Sequence, residues 1–173
     1  MRLKKSLRTL PVALMCLMAL GSAGAVAQKR FMILRAGRPD VKVMLAGAVE
    51  RTNGRIPVEK ADTVKSGEIL DWTITSMNEG NAPAHEYKAV GVVPPGTQLV
   101  AGSVSADGSA TVTYSIDNGK NFSTQPTIEE RQADGSIKKV PAPFSMYTQV
   151  RYEWADPLNV GSKLNASYKV RLN

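Results

Sequence analysis

Along residues 41–172 apolar and polar positions alternate in short runs, and no window longer than a few residues keeps a 3.6-residue apolar period. The clearest run is residues 68–76 (EILDWTITS), where Leu70, Trp72 and Ile74 share one face and Asp71, Thr73 and Thr75 the other. That spacing predicts a strand with one face in a core and one in water. The alternation recurs over residues 111–116 (Val112, Tyr114, Ile116 inward), 148–154 (Val150, Tyr152, Trp154) and 164–172 (Ala166, Tyr168, Val170, Leu172), and more weakly over 41–45, 87–93 and 98–104. Turn residues separate these runs: Asn53-Gly54, Ser66-Gly67, NEGNAP at 78–83, Pro94-Pro95-Gly96, Asp107-Gly108, Asp117-Asn118-Gly119, Asp134-Gly135 and residues 159–161. The expected fold is all-β: an immunoglobulin-like Greek-key sandwich of about seven antiparallel strands. A small closed barrel is the alternative, because periodicity is blind to closure.

The amino terminus changes the picture. Arg2, Lys4, Lys5 and Arg8 precede an apolar run at residues 10–20 (LPVALMCLMAL), too short to span a bilayer as a helix. Ala25-Val26-Ala27 then supplies a small-residue cleavage site. These features predict a signal peptide over residues 1–27, a mature chain starting at Gln28, and no transmembrane segment after cleavage. Cys16 lies behind Ala13-Leu14-Met15, which is not a lipid-attachment box, so a lipoprotein is not expected. The expected location is exported: periplasm, cell surface or extracellular space. Residues 28–40, with Lys29, Arg30, Arg35 and Arg38, read as a flexible basic linker, and residues 41–173 as the sandwich domain.

Setting the leader aside removes 27 of the 173 residues and four of the 22 basic ones, leaving 18 basic against 15 acidic. A net charge near +3 removes most of the case for nucleic acid as a partner. The single cysteine lies in the leader, so the fold has no disulfide and rests on a buried core.

Residues 64–103 (VKSGEILDWTITSMNEGNAPAHEYKAVGVVPPGTQLVAGS) carry Gly67, Trp72, Ile74, Asn78, Gly80, Ala84, Pro94, Gly96, Thr97 and Ser103 in an ordered pattern. It runs through a turn, an alternating strand, an Asn-x-Gly loop, a small-residue patch and a Pro-x-Gly turn. That pattern resembles a bacterial conserved-repeat family, domain of unknown function number eleven, and YSIDNGKNF, YTQVRY and PLNVG resemble its continuation. The resemblance implies an immunoglobulin-like domain in envelope or surface proteins and no catalytic residue. Such domains often occur in tandem, whereas this chain holds one copy.

Candidate chemistry is sparse. YSIDNGKNF at 114–122 places Ser115, Asp117, Gly119 and Phe122 at the spacing of the Asp-box of sialidase-type propellers, there a folded hairpin rather than a catalytic site. The expected role is a turn, with Asp117 accepting backbone N–H groups and Phe122 folding back onto the sheet. His85 is the only histidine, beside Glu86, and no metal-ligand spacing accompanies it. Ser103, Ser105 and Ser109 lack a nucleophile-elbow pattern. Glu129 and Glu130 are adjacent, so on a strand they point to opposite faces and cannot flank one bond. Asn121 and Asn165 open the two sequons.

No catalytic, cofactor-binding or metal-ligating residue is expected, and the chain does not read as an enzyme. Residues 123–143 are long for a strand connection and read as an excursion hairpin, 127–132 against 136–140. The expected function is a non-catalytic structural or interaction module of the bacterial cell envelope, docking to another envelope protein or surface polymer through a sheet edge or the 123–143 excursion. The alternative is a glycan- or small-ligand-binding protein using end loops around His85, Tyr87 and Tyr147. An unpaired edge strand with apolar neighbours favours the first, an exposed aromatic cluster the second.

Overall fold

A computed structural model describes residues 37–173; the leader and residues 28–36 lie outside the described residues. Strands follow in the order β1 (Val41–Arg51), β2 (Gly54–Pro57), β3 (Ile69–Asn78), β4 (Lys88–Val92), β5 (Thr97–Leu99) and β6 (Ser105–Ala106). Then come β7 (Ala110–Ser115), β8 (Thr127–Arg131), β9 (Ile137–Pro141), β10 (Gln149–Trp154) and β11 (Lys163–Leu172). The larger sheet runs β2-β1-β3-β11-β5 with β6 also on β11; the smaller runs β4-β10-β7; β8 and β9 pair only with each other. Every pairing is antiparallel.

The described residues are therefore all-β, a sandwich of two antiparallel sheets plus the β8–β9 hairpin, with eleven strands among them where about seven are expected. The 98–104 run splits because Gly102 adopts φ 70° and turns the chain between β5 and β6. Strand β2, with the sequence GRIP, is too short to show a period. The 123–143 hairpin forms close to its expected register, Thr127 opposite Pro141 and Arg131 opposite Ile137.

The inward faces follow the alternation. Val49, Leu70 and Ile74 of the larger sheet meet Val150, Tyr152 and Trp154 of the smaller in one buried cluster with Leu99, Tyr168 and Val170. Burying an aliphatic side chain of this kind is worth about 1.5–3 kcal/mol. The buried tyrosines satisfy their hydroxyls across the layers: Tyr152 donates to Ser167 O at 2.7 Å and Tyr168 to Val92 O at 2.7 Å. Burial pushes the Tyr168 phenol up to about 12.

Two expectations need correction. Asp71, on the outward face, is only 7% exposed. Arg55 covers it at 2.6 Å and Lys169 approaches at 3.9 Å, itself 2.5 Å from Glu50. Residues 38–40, read as linker, extend the β1–β3 ladder instead: Asn81 N–H donates to Arg38 O and Glu79 N–H to Asp40 O.

The buried Asn78 amide fixes this end of the sandwich. Its Nδ2 donates to Ala82 O (2.8 Å) and Leu158 O (2.9 Å), and its Oδ1 accepts from Gly80 N–H (3.0 Å) and Asp40 N–H (3.2 Å).

Candidate functional site

The 114–122 segment is a closed polar unit. Ser115, fully buried, donates its hydroxyl to Asp117 Oδ1 at 2.7 Å and accepts the N–H groups of Asp117 (3.2 Å) and Gly119 (2.8 Å). Asp117 accepts Asn121 N–H at 2.9 Å on Oδ1 and the Asn121 side-chain amide at 2.7 Å on Oδ2. These donors, the Asn121 N–H foremost, hold the Asp117 carboxyl down at about 2. Asn118 and Gly119 take φ 58° and 85°. Phe122 does fold back: the Arg151 guanidinium lies 4.0 Å from its ring centre on the outer face of the smaller sheet. The carboxylate is thus committed to the turn's own donors.

The other sequence candidates are dispersed or engaged. Ser103 spends its hydroxyl on Val100 O (2.7 Å) and on Lys169 N–H (3.0 Å), and Ser105 on Ser167 (2.9 Å). His85 is exposed in its loop, and among the described residues no three His, Cys, Asp or Glu side chains converge. Tyr87 stacks on Trp154 (5.7 Å between centroids), whereas Tyr147 packs on Tyr114 and Phe144. Those two tyrosines border opposite ends of β10, about 20 Å apart at strand rise, so His85, Tyr87 and Tyr147 do not form one cluster.

Both sequon asparagines have bonded side chains, Asn121 to Asp117 and Asn165 to Asp107. Glu129 and Glu130 stand opposite Lys139 and Lys138 in the β8–β9 register, so this hairpin matches its own charges. A wide concavity of about 1190 Å³ at the β1–β2 turn is lined by mixed charges, among them the Arg51–Glu68 ion pair at 2.8 Å.

What remains unsatisfied is one side of the sandwich. The larger sheet is five strands wide and the smaller three, so one layer overhangs the other. On the far side the overhang is β5 and β6; the Phe144–Met146 turn packs against β5, and the Ser123 return bridges to Tyr114 on β7. On the near side the overhanging strand is β1. Its inward residues Val43 and Leu45 reach past β4 and stay 57% and 59% exposed, and outward Met44 is 66% exposed. Val90 and Val92, on the outer face of β4, add to this apolar lip. Between them lies a groove of about 220 Å³ lined by Val43, Leu45, Trp72, Ile74, Pro94 and Tyr168.

Both strands bordering the groove carry open backbone. β1 bonds to β3 through its even-numbered residues, continuing the Arg38 and Asp40 bonds, so Val41, Val43 and Leu45 aim N–H and C=O outward. β2 pairs only from Ala48 onward and ends at Pro57, which lacks an N–H. Among the described residues nothing pairs with 41–47 on that side. On β4, Tyr87 and Val93 bond toward β10, which leaves Val90 facing outward.

Trp72 forms part of the groove floor and is half-buried, its Nε1 shielded and without a hydrogen-bond partner. Gly47 makes room for it: a Cβ there would come within 2.6 Å of the indole ring. The weak alternation at 41–45 marked this strand, but no sequence signal marked its missing neighbour. Comparison with family models, with curated proteins and with solved structures yields no match.

Proposed function

We propose that the protein is an exported, non-catalytic interaction module of the bacterial cell envelope that docks another envelope component by strand addition along the open β1–β4 side. The observation that carries this reading is the run of outward backbone at Val41, Val43 and Leu45 directly beside an uncovered apolar groove. A docked strand gains main-chain bonds from β1 and places alternate side chains in the groove. Soluble proteins blunt such edges with charges, prolines or bulges; residues 41–47 (VKVMLAG) hold a single charge, Lys42, and no proline. The resemblance of residues 64–103 to an envelope-associated repeat family and the leader-like terminus support the compartment. No helix among the described residues is long and apolar enough to cross a membrane. The β8–β9 hairpin is the weaker docking candidate because it matches its own charges.

The test is a photo-crosslinking amino acid at Met44, Val90 or Lys138 in the full-length chain expressed in its host. Envelope-fraction adducts of defined mass from Met44 and Val90, and none from Lys138, are expected. Adducts confined to Lys138, or a cytoplasmic protein without adducts, would overturn the reading.

A further inference from the structure

The open edge is a gap with one closed end. Toward the carboxyl end of β1 it closes where Pro57 stands opposite Ala48 and Val58 packs beside Gly47. Toward the amino end it stays open past Val41, because residues 38–40 continue the line of β1, bonded on their other side to Asn81 and Glu79. A free amino-terminal segment fits such a gap antiparallel to β1, its first residues at the closed end and its continuation leaving past Arg38. Alternation sets what the segment must carry. Side chains opposite Val43 and Leu45 enter the groove over Trp72 and Ile74, while those opposite Lys42 and Met44 face outward.

Residues 28–37 lead directly into β1 and hold the apolar run Phe31-Met32-Ile33-Leu34. That run cannot fill the groove of its own chain. A chain that returns on itself ahead of Arg38 must turn within residues 35–37, which sets Leu34 opposite Arg38, Phe31 opposite Val41 and Lys29 opposite Val43, and so offers the groove a cation. A second copy escapes this constraint. With its segment slid along β1 until the two Arg38 residues are opposite, Ile33 lies opposite Val43 and Phe31 opposite Leu45, and both side chains enter the groove. Leu34 and Met32 then lie outward beside Lys42 and Met44. Among the described residues nothing else pairs with this side of residues 38–46. Lys29 and Gln28 reach the Val58–Pro57 end and leave the sheet there, where a chain cleaved after Ala27 ends.

The register is symmetric. Odd-numbered residues of β1 turn their N–H and C=O outward, and this alignment joins odd residues to odd ones. The same two-fold at Arg38 therefore returns the second copy's β1 to the first copy's segment. Residues 38–40 of each copy fall opposite residues 36–38 of the other, clear of β2. Arg38 meets its counterpart on the exposed outward face, with Asp40 of each copy one pair away on the diagonal.

We infer that the occupant of the β1 edge is the amino-terminal segment, residues 30–36, of a second copy of this chain, exchanged reciprocally between two molecules. The inference rests on the docking and export readings and names the partner; exchange of this kind is isologous and closes at two copies.

Cysteine cross-linking of the exported protein gives the register, with Cys16→Ser removing the only native thiol. Met32 of one copy and Met44 of the other form a non-hydrogen-bonded pair, whose Cα separation of about 4.5 Å suits a disulfide. Under mild oxidation a mixture of Met32→Cys and Met44→Cys chains is expected to give the mixed dimer, either variant alone to give none, and Arg38→Cys alone to give a dimer with itself. A disulfide formed within one chain carrying both Met32→Cys and Met44→Cys would overturn the inference, as would a covalent dimer of Met44→Cys alone.

Sedimentation of the exported protein should show a concentration-dependent dimer. Phe31→Asp should abolish it with the melting curve unchanged, and deletion of residues 28–36 should abolish it too. Val43→Pro, which removes an outward donor and leaves the β3 ladder intact, should have the same effect. A chain monomeric at every concentration, or one that still dimerises after the deletion, overturns the inference. If the monomeric chain still forms Met44 adducts with a different envelope protein, the docking reading stands while this inference falls.

Discussion

The Ser115–Asn121 turn and the β1–β4 side are the two regions of this molecule that invite a functional reading, and they are opposites. In the turn, Ser115 and Asp117 have their hydrogen-bonding capacity taken up by Asp117, Gly119 and Asn121, within seven residues of chain. On the β1–β4 side, backbone groups face solvent unpaired and four aliphatic residues, Val43, Leu45, Val90 and Val92, lie 45–59% exposed. The turn looks like a motif and spends its chemistry internally. The edge has no motif, and its chemistry is unspent. Sequence signatures mark what a chain needs in order to fold; binding is found where folding leaves bonds unmade.

Substitutions can break or sharpen this contrast. The largest expected loss is at the groove floor. Trp72→Ala removes a ring packed under Gly47 and against the core, at a cost of about 3 kcal/mol or more, whereas Thr73→Ala on the outward face costs less than about 1 kcal/mol. Urea melts that put the two at equal cost would place the wrong face inward. Next is Ser115→Ala, which leaves two part-buried N–H groups without their acceptor and costs about 1–3 kcal/mol. It should leave association through β1 unchanged. A variant that folds normally yet fails to associate would tie the turn to binding.

Acid gives a smaller, directional test. The Asp117 carboxyl titrates at about 2 in the folded chain against about 3.9 unfolded, so its contribution is complete above about pH 4 and fades as pH falls toward 2. The gap in melting temperature between the protein and Asp117→Asn should therefore be widest near pH 6 and shrink by pH 2. A gap independent of pH would separate the turn's stability from that charge. The smallest stability effect belongs to the edge: Met44→Lys should shift the melt by no more than about 0.5 kcal/mol, since Met44 already faces water, while weakening association through β1.

Much of the fold was legible beforehand. The inward face of β3 is as the alternation of Leu70, Trp72 and Ile74 predicts, and the inward faces of β10 and β11 follow their own alternation, because strand period depends on which side meets the core. Asp117 and Phe122 play the turn roles their spacing suggests. The docking side was not legible, for a definite reason. Alternation in Val43 and Leu45 says which face they occupy; whether a strand has a neighbour on each side depends on where residues a hundred positions away are placed.

Glycine hid the rest. Gly47 interrupts the apolar pattern of β1 yet continues the strand, because only its bare Cα leaves room for Trp72. The buried Asp71 was missed because its cover comes from Arg55 and Lys169, on two other strands.

The central claim is that the β1 edge is the docking strand and the Ser115 turn is not. Residue-resolved amide hydrogen exchange, followed in the dilute purified chain and again after addition of detergent-solubilised host envelope, tests both halves at once. The account predicts that Val43 and Leu45 N–H exchange rapidly in the dilute purified chain and become protected when the envelope component docks, while Gly119 and Asn121 N–H are protected equally in both. Val43 and Leu45 amides that are protected to the same degree in both conditions, or exposed in both, would contradict it.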